Sequence, residues 1–518
     1  VAERGLKILN SGYSEYGASR RRKSLQGWPA PAGSPDEDIL DNLDLLRTRS
    51  RELWMGVPLA RGALTRLVTN TVGAGLQLDP VIDAEALGLS EGDSRRLEKR
   101  IRREWAHWAR GGNCDAARTL NFGGLQELAF LSSLMSGDVF AFLPMIERPG
   151  SAYDLKVCLV EADRVCTPDD RSYDPSIREG IEFGPWREPV AYWLCNRHPA
   201  ARGIGVPPKA WERVPAFGGQ SGRRNVLHLF RPERPEQLRG TPALAPVIES
   251  LKQLGRYSEA ELIGAVVSAC FTVFVKHDPG GVPPLGEMAI PGGEVLASAG
   301  SEGMALRAPE VDYSLGNGTI VDLEPGDSIE LANPQRPNAQ FDAFVVSVCR
   351  QIGAALEIPF EELLLHFSAS YSASRAALLE AWRAYRRHRS RFAESFCRPI
   401  YEAWLAEAVL RGRLDMPGFL EDPILREAWS GAQWHGPSQG QIDPLKEIEA
   451  AEKRVSLGIS TLTRETAEMT GESWEENAAV RIREEEIRRR FASLSGSGSA
   501  PTVYPSDGDD DPDEEDAE

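Results

Sequence analysis

The sequence has no unbroken apolar run approaching the ~20 residues that cross a bilayer, which argues against a helical membrane span. There is no GxxxxGK[ST], so no P-loop motor is encoded. HExxH, GxSxG and CxxC are missing too, and with them the usual marks of zinc hydrolysis, acyl transfer and dithiol chemistry. The seven histidines, at 107, 198, 228, 277, 366, 388 and 435, are scattered. Acidic pairs are frequent, but none stands apart in an apolar setting as a tuned acid/base pair would. The first 25 residues are polar and basic, so no secretory signal is expected. The seven cysteines are odd in number and several lie in apolar runs, for example Cys158 and Cys195. Buried reduced thiols, as in a protein folded inside a cell, are the expectation. Neither a cofactor nor a metal site is expected.

What is present is acid. The formal net charge is −18, and residues 507–518 hold nine acids and no base. Such a chain does not grip nucleic acid by bulk positive charge, although it can enclose DNA without holding it.

The most informative stretch is 341–411. Phe341, Phe344, Val345, Val348, Ile352 and Leu356 recur at helical spacing and stop before Pro359. A loop of small and hydroxyl residues, 368–374, leads to a second helix expected over 376–410. Leu378, Trp382, Tyr385, Phe392 and Phe396 mark its buried face. From Arg375 to Arg398 this helix carries seven arginines and two acids.

Around this pair the pattern is α+β. Residues 1–40, with a basic cluster at 20–23, read as an arm. A helical region over 38–72 carries an arginine-rich face (Arg47, Arg49, Arg51, Arg61, Arg66) and stops at Gly73 and Gly75, before a strand at 76–78. Ser90 reads as the N-cap of a helix that buries Trp105 and Trp108. A helix over 125–136 and strands at 139–144, 155–160, 190–195 and 226–230 follow. Glu161, Asp163, Asp169 and Asp170 cluster after a strand; a solvated strand end is the expectation rather than a cation site. A helix over 244–269, a strand at 271–275 and a Gly/Pro-rich insertion at 277–301 precede short strands ending at 323. Further helices are expected at 444–455, 461–470 and 473–491, and a disordered acidic tail over 492–518.

Several runs together resemble the lambda-type phage portal proteins. They are GTIVDLEPGD at 318–327, Asn333–Pro334, FDAF at 341–344, IGAALEI at 352–358 and YSASRAALLEAW at 371–382. NTVGAGL at 70–76, Cys114–Asp115, Gly137–Asp138, LVEADR at 159–164, Arg239–Gly240, WHGP at 434–437 and IDPLKE at 442–447 support them. The resemblance spans about residues 15–490. Where the family has Asn-Tyr-Ser-Ser this chain has Ser370–Tyr371–Ser372–Ala373, and 363–367 is unusually apolar.

The resemblance implies a structural protein, not an enzyme: a homo-oligomeric ring, commonly of twelve subunits, at one capsid vertex of the virion, assembled in the host cytoplasm. It implies an α+β portal fold with an arm (1–40), wing (41–240), stem helices (241–270 and 334–358), β-rich clip (271–333), tunnel loop (359–374), long wing helix (375–419), crown (420–491) and tail (492–518). Implied partners are double-stranded DNA in transit, the large terminase subunit, head-completion or adaptor proteins, and major capsid and scaffold proteins; no membrane is involved. His366, Phe367, Ser368, Ser370, Tyr371 and Ser372 become candidates to line the channel. Arg383, Arg387 and Arg391, at i, i+4 and i+8, either form a basic ring at the DNA or pair with acids of a neighbouring subunit. The competing readings are a metal-dependent nuclease with an unrecognised acidic site, and a nucleic-acid adaptor using the arm and the long helix.

Overall fold

The structure, a computed structural model, describes residues 23–25, 27–28, 32–269, 273–277, 327–331, 341–367, 370–439, 444–471 and 474–494. Most of the expected arm, the interior of the clip, Ser368 and the tail from 495 lie outside the described residues. Among the described residues no helix is long and apolar enough to cross a membrane. The chain divides into two units, 1–251 with 350–518, and 252–349.

The first unit opens with a π-turn, Asp36–Leu40, and two helices, α1 (Asp41–Gly56) and α2 (Pro58–Thr71). The single helical region expected over 38–72 is therefore broken. Pro58 lacks an N–H and forces Val57 into extended backbone (φ −115°, ψ 109°), so the chain must restart there. Strand β1 (Gln77–Pro80) follows, then α3 (Glu91–Ala109) and α4 (Phe122–Ser136). Ser90 caps α3 as expected, its hydroxyl accepting from the Asp93 N–H at 3.2 Å.

Strands β2 (Asp138–Phe142), β3 (Cys158–Glu161), β4 (Ile177–Arg178), β5 (Ile181–Phe183), β6 (Pro189–Cys195), β7 (Trp211–Pro215) and β8 (Val226–Phe230) form two antiparallel sheets, ordered β3-β2-β8 and β4-β5-β6-β7. Phe140, Phe142, Val160 and Val226 of the first pack with Ile181 and Tyr192 of the second around a shared core. All of β2 is buried, which fits a central strand covered on both faces.

Helix α5 (Ile248–Ala269) leads into the second unit. There β9 (Val273–His277) pairs antiparallel with β10 (Asp327–Leu331), and α6 (Phe341–Leu356) follows. Within this unit the Tyr257 ring lies 5.3 Å from that of Phe341 and 5.1 Å from that of Phe344, which places the two helices side by side.

The first unit resumes with α7 (Phe360–Leu364), α8 (Tyr371–Phe392), a π-turn over Ala393–Cys397 and α9 (Arg398–Leu410). Pro399 donates no N–H, and the wider turn before it lets the helix continue through. Then come α10 (Pro423–Trp429), β11 (Ala432–His435), α11 (Pro444–Ser456), α12 (Leu462–Thr470) and α13 (Trp474–Leu494). Helix α13 runs three residues into the stretch expected to be disordered. Strand β11 pairs with β1, Trp434 opposite Leu78. Its tryptophan joins an aromatic core in which Trp105 touches Trp108, Phe122, Tyr401, Trp404 and Trp434, with ring centroids 4.8–6.0 Å apart.

A buried ion network ties these layers together. Gly137 (φ +90°) and Gly240 approach so closely that a Cβ on Gly137 would lie 2.4 Å from the Gly240 oxygen. That approach brings Asp138 against Arg239, whose Nε donates to Oδ2 at 2.5 Å. Arg47 of α1 donates to Oδ1 at 2.8 Å, and Nε2 of His228 lies 3.1 Å from Oδ2. Arg239 spends its other N–H groups on the carbonyls of Ala162, Val165 and Glu179. Burial alone would raise the Asp138 carboxyl; the Arg239 and Arg47 guanidiniums instead hold it well below the usual range. Two arginines of the first helix are thus spent inside the chain: Arg47 is 1% exposed, and Arg51 bridges Glu161 and Asp163.

Asp138→Asn leaves two buried guanidiniums without a counter-charge and is expected to cost about 3 kcal/mol or more; a midpoint of chemical unfolding within about 0.5 kcal/mol of the unaltered chain would refute the network's role. A pH effect is expected at His388, which packs against Phe130 with ring centroids 6.2 Å apart. Burial pushes His388 down to about 4, helped by Arg231, Arg387 and Arg391 against the opposing pull of Glu357. The folded state then binds fewer protons than the unfolded one, so this stability is complete above about pH 6.5 and is lost as the pH falls towards 4. His388→Gln should flatten that part of the thermal-melt profile between pH 6.5 and 4.

Candidate functional site

The turn expected to line a channel is built by two helix ends and their anchors. Helix α6 ends at Glu357, in the left-handed region at φ 59°, with the Ile358 N–H returning to the Gly353 oxygen at 2.9 Å. A Cβ on residue 353 would sit 2.5 Å from the Ile358 oxygen, so the return requires glycine. Pro359 then starts α7, which ends at Leu365 (φ 54°) with the His366 N–H on the Glu361 oxygen at 3.0 Å. Ser370 precedes the first turn of α8. The expected loop over 359–374 is therefore shorter. Residues 360–364 and 371–374 are helical, and between them 365–367 and 370 are described as non-helical.

Why the flanks are helical follows from their anchors. Glu362 is buried on α7. Its carboxylate accepts from Asn70 at the end of α2 and from the Tyr385 hydroxyl of α8 at 2.7 Å. Burial, then Glu362, raises the Tyr385 phenol and keeps it a donor. One turn on, Arg389 donates to the carbonyls of Thr71 (3.0 Å), Asn70 (3.0 Å) and Pro437 (2.8 Å). A guanidinium on the terminal carbonyls of α2 satisfies both unpaired acceptors and the helix dipole. Burial lowers Arg389 to about 10, still charged at neutral pH. The turn is thus held on a frame of three helices, while Leu365, His366 and Phe367 are exposed at its tip.

The candidate residues divide accordingly. His366, Phe367 and Ser370 are exposed on the turn. Tyr371 and Ser372 occupy the first turn of α8; Ser368 lies outside the described residues. Arg383, Arg387 and Arg391 are exposed along α8. Arg383 pairs with Glu380 of its own helix at 2.8 Å, and Arg387 with Glu357. Arg391 has no ion pair among the described residues and stands at an apolar cleft of about 560 Å³ lined by Leu67, Phe130, Leu134, Phe230 and Phe392. Within the chain, then, Arg383 and Arg387 already stand beside acids. Arg375 and Arg386 likewise face Glu447 and Glu468, at 3.8 and 3.7 Å.

Sequence reasoning missed Glu362, Tyr385 and Arg389 as the parts that fix the turn. A signal was nonetheless present, since two of the short runs singled out above, 70–76 and 434–437, are where Arg389 docks.

The acidic cluster after β3 gains a histidine in three dimensions: Glu161, Asp163 and His198 place ligand atoms within 4.8 Å of one another. The Arg51 guanidinium already bridges both carboxylates. The His198 Nδ1 accepts from the Ala200 N–H at 3.1 Å, so in the neutral ring Nε2 carries the proton and presents N–H to the carboxylates, not a lone pair to a cation. The arrangement suits an internal ion cluster and not a nuclease metal site. The six described cysteines are free thiols, and burial raises the pKa of five of them: Cys114, Cys158, Cys166, Cys349 and Cys397.

Residues 21–389 match the family model described as phage portal protein, lambda family. The chain is 25% identical over 489 residues to the portal protein of Escherichia phage N15, covering 93% of this chain and 91% of that one. It is 24% identical over 506 residues to portal protein B of Escherichia phage lambda, covering 95% and 93%. Among solved structures it is similar to a chain in the neck of a native GTA particle computed with C12 symmetry, at TM-score 0.39 and 13% identity, covering 82% of this chain and 92% of that one. A chain in the virion of the native gene transfer agent particle gives TM-score 0.42 and 14% identity, with the same coverage. The family model spans well over half of the chain, and the chain belongs to the lambda family of phage portal proteins.

Proposed function

We propose that this portal protein forms a closed homo-oligomeric ring at one capsid vertex, through which double-stranded DNA enters and leaves the particle. The family match over 21–389 carries this reading. In it, the sheet region to about 240 is the wing, α5 and α6 the stem, the β9–β10 region the clip and the C-terminal helices the crown. The turn over 365–370 is the tunnel loop. It faces the duplex because Leu365, His366 and Phe367 are exposed on a frame fixed by Glu362, Tyr385 and Arg389. The clip would receive the large terminase subunit during packaging and head-completion proteins afterwards. Wing and arm would meet the major capsid and scaffold proteins.

The proposed mechanism is mechanical, with no covalent step. DNA driven by a separate motor must slide, so the wall must not hold phosphates tightly. An acidic or neutral wall repels the backbone and centres the duplex, and a chain whose acids outnumber its bases even without the nine acids of 507–518 supports it. The intrachain pairing of Arg383 and Arg387 removes most of the attraction that α8 would otherwise exert. Exposed Leu365 and Phe367 offer contacts without ionic grip.

The purified full-length chain is expected to form rings visible by electron microscopy; a chain that stays monomeric at every concentration tested would overturn the ring. Deleting residues 366–369, which spares buried Leu363, is expected to leave ring assembly intact and to lower the yield of DNA-filled particles at least tenfold. Full packaging with the shortened turn would remove the tunnel-loop assignment and leave the ring standing.

A further inference from the structure

The two antiparallel sheets leave a pocket of about 180 Å³ between them. Its walls come from β5, β6, the turn joining β7 to β8, and β8 itself. Phe217, Val226, Phe230 and Leu238 make them largely aromatic and aliphatic. No aspartate or glutamate lines the pocket among the described residues.

The polar groups in the walls can be followed one by one. Gln237 is spent: its Oε1 accepts from the Glu233 and Arg234 N–H groups at 2.8 and 3.1 Å, and its Nε2 donates to the Arg239 oxygen at 2.7 Å. Arg187 is spent on both oxygens of Asp36 and on the Glu236 carbonyl. His228 turns Nε2 to Asp138, and burial lowers its pKa, so the ring is neutral and brings no charge to the pocket. Two donors remain. Tyr192 is 3% exposed, and its hydroxyl has no hydrogen-bond partner among the described residues. A buried hydroxyl without an acceptor is costly, so this one calls for an acceptor from outside the chain. Arg224 likewise has no ion pair among the described residues. Its guanidinium stands over the Phe217 ring, 5.4 Å from the centroid, across the bridge that closes the β7–β8 turn. The guanidinium is close enough to the phenol to pull its pKa down against burial, so the two donors serve one space.

We propose that this pocket binds a small monocarboxylate with one ring-sized apolar body, a benzoate-like molecule, its carboxylate held by Arg224 and the Tyr192 hydroxyl and its ring between the two sheets. Size sets the body: cavities of about 150 Å³ take benzene, whereas drug-sized ligands fill ~300–1,000 Å³. Charge sets the head, since Arg224 is the one lining cation without an acid among the described residues. Water alone satisfies the hydroxyl but leaves Arg224 without a counter-charge and gains nothing from the aromatic walls. A dianion such as phosphate brings surplus charge and no apolar body. Bound ligand bridges β6 of one sheet to β8 of the other and therefore stabilises the pair. The inference needs neither the ring nor the channel reading and is tested apart from them.

The test is titration of the full-length chain with benzoate by calorimetry at constant ionic strength, with Kd expected at or below ~1 mM for a ligand of this size. Acetate and inorganic phosphate, which lack the ring, and benzamide, which lacks the charge, should bind at least tenfold more weakly. Arg224→Gln removes an exposed charge and should weaken benzoate at least tenfold. Tyr192→Phe removes only the hydroxyl and should weaken it at least threefold; circular dichroism checks that both variants stay folded. Arg202→Gln, an exposed arginine beyond the far end of β6, should leave Kd unchanged. No heat and no rise in thermal midpoint at about 10 mM benzoate would overturn the site. Binding that survives both Arg224→Gln and Tyr192→Phe, or that Arg202→Gln weakens equally, would overturn its location. Equal affinity for acetate, phosphate or benzamide would overturn the ligand class.

Discussion

The Asp138 carboxylate is the point on which the larger part of the fold depends. It is fully buried, and water is replaced there by two guanidiniums, an imidazole and a backbone N–H. Such a group contributes no driving force comparable to apolar burial, because desolvating three ions costs what their attraction returns. What it supplies is selection among arrangements. Only one places α1, the start of β2, the middle of β8 and the Arg239–Gly240 turn so that no charge is orphaned. The two glycines are part of the same constraint. Any side chain at 137 or 240 would hold the strand and the turn apart and leave the carboxylate facing its cations across a gap.

The same device recurs where the sheets give way to helices. Buried Glu362 and half-buried Arg389 are charges whose partners lie on α2, α8 and the segment after β11. Glu407 of α9 accepts from the backbone N–H groups of Asp154 and Leu155, at 2.6 and 2.9 Å. Each is a charged side chain from one helix that satisfies the backbone end or side chain of an element hundreds of residues away. The apolar core around Trp105 supplies adhesion, and these ions specify angle and register. A part required to keep its shape while DNA is driven past it gains from positions fixed by directional contacts, since an apolar interface alone permits sliding.

How much of this was legible follows from where each signal resides. The Ser90 cap, the buried Trp105 and Trp108, the strands at 190–195 and 226–230 and the helices at 444–470 are written in local spacing, and local spacing read them correctly. The break at Val57–Pro58 was legible in the same terms but hidden in an otherwise continuous pattern. The boundaries at 359–374 were not legible. Small and hydroxyl residues suit a loop and a first helical turn equally, and the decision comes from Asn70 and Tyr385, far along the chain. Nothing near Arg47 in the sequence announces its partner Asp138, 91 positions away. Buried charge is the feature that sequence patterning misreads most readily, since its partner is defined by the fold it helps to specify. The family resemblance recovered part of it indirectly. Gly137–Asp138, Arg239–Gly240, 70–76 and 434–437 carry no chemistry as isolated words, and all four are contact points of these ion networks.

Charge also separates the interior of the subunit from its outward surfaces. Within the chain, arginines are answered by local acids: Arg383 by Glu380, Arg387 by Glu357, Arg386 by Glu468, Arg375 by Glu447. Along α8 this leaves Arg389, which is answered by backbone carbonyls, and Arg391, at the rim of the apolar cleft, without an acid among the described residues. Along α13 the acids and bases are instead grouped in successive turns, Glu484, Glu485 and Glu486 before Arg488, Arg489 and Arg490, which sets each acid four residues ahead of a base on the same helix. The first pattern answers arginines mostly from other elements, and the second answers them along a single helix. The two helices have comparable numbers of arginines, so composition does not distinguish them; the spacing between unlike charges does.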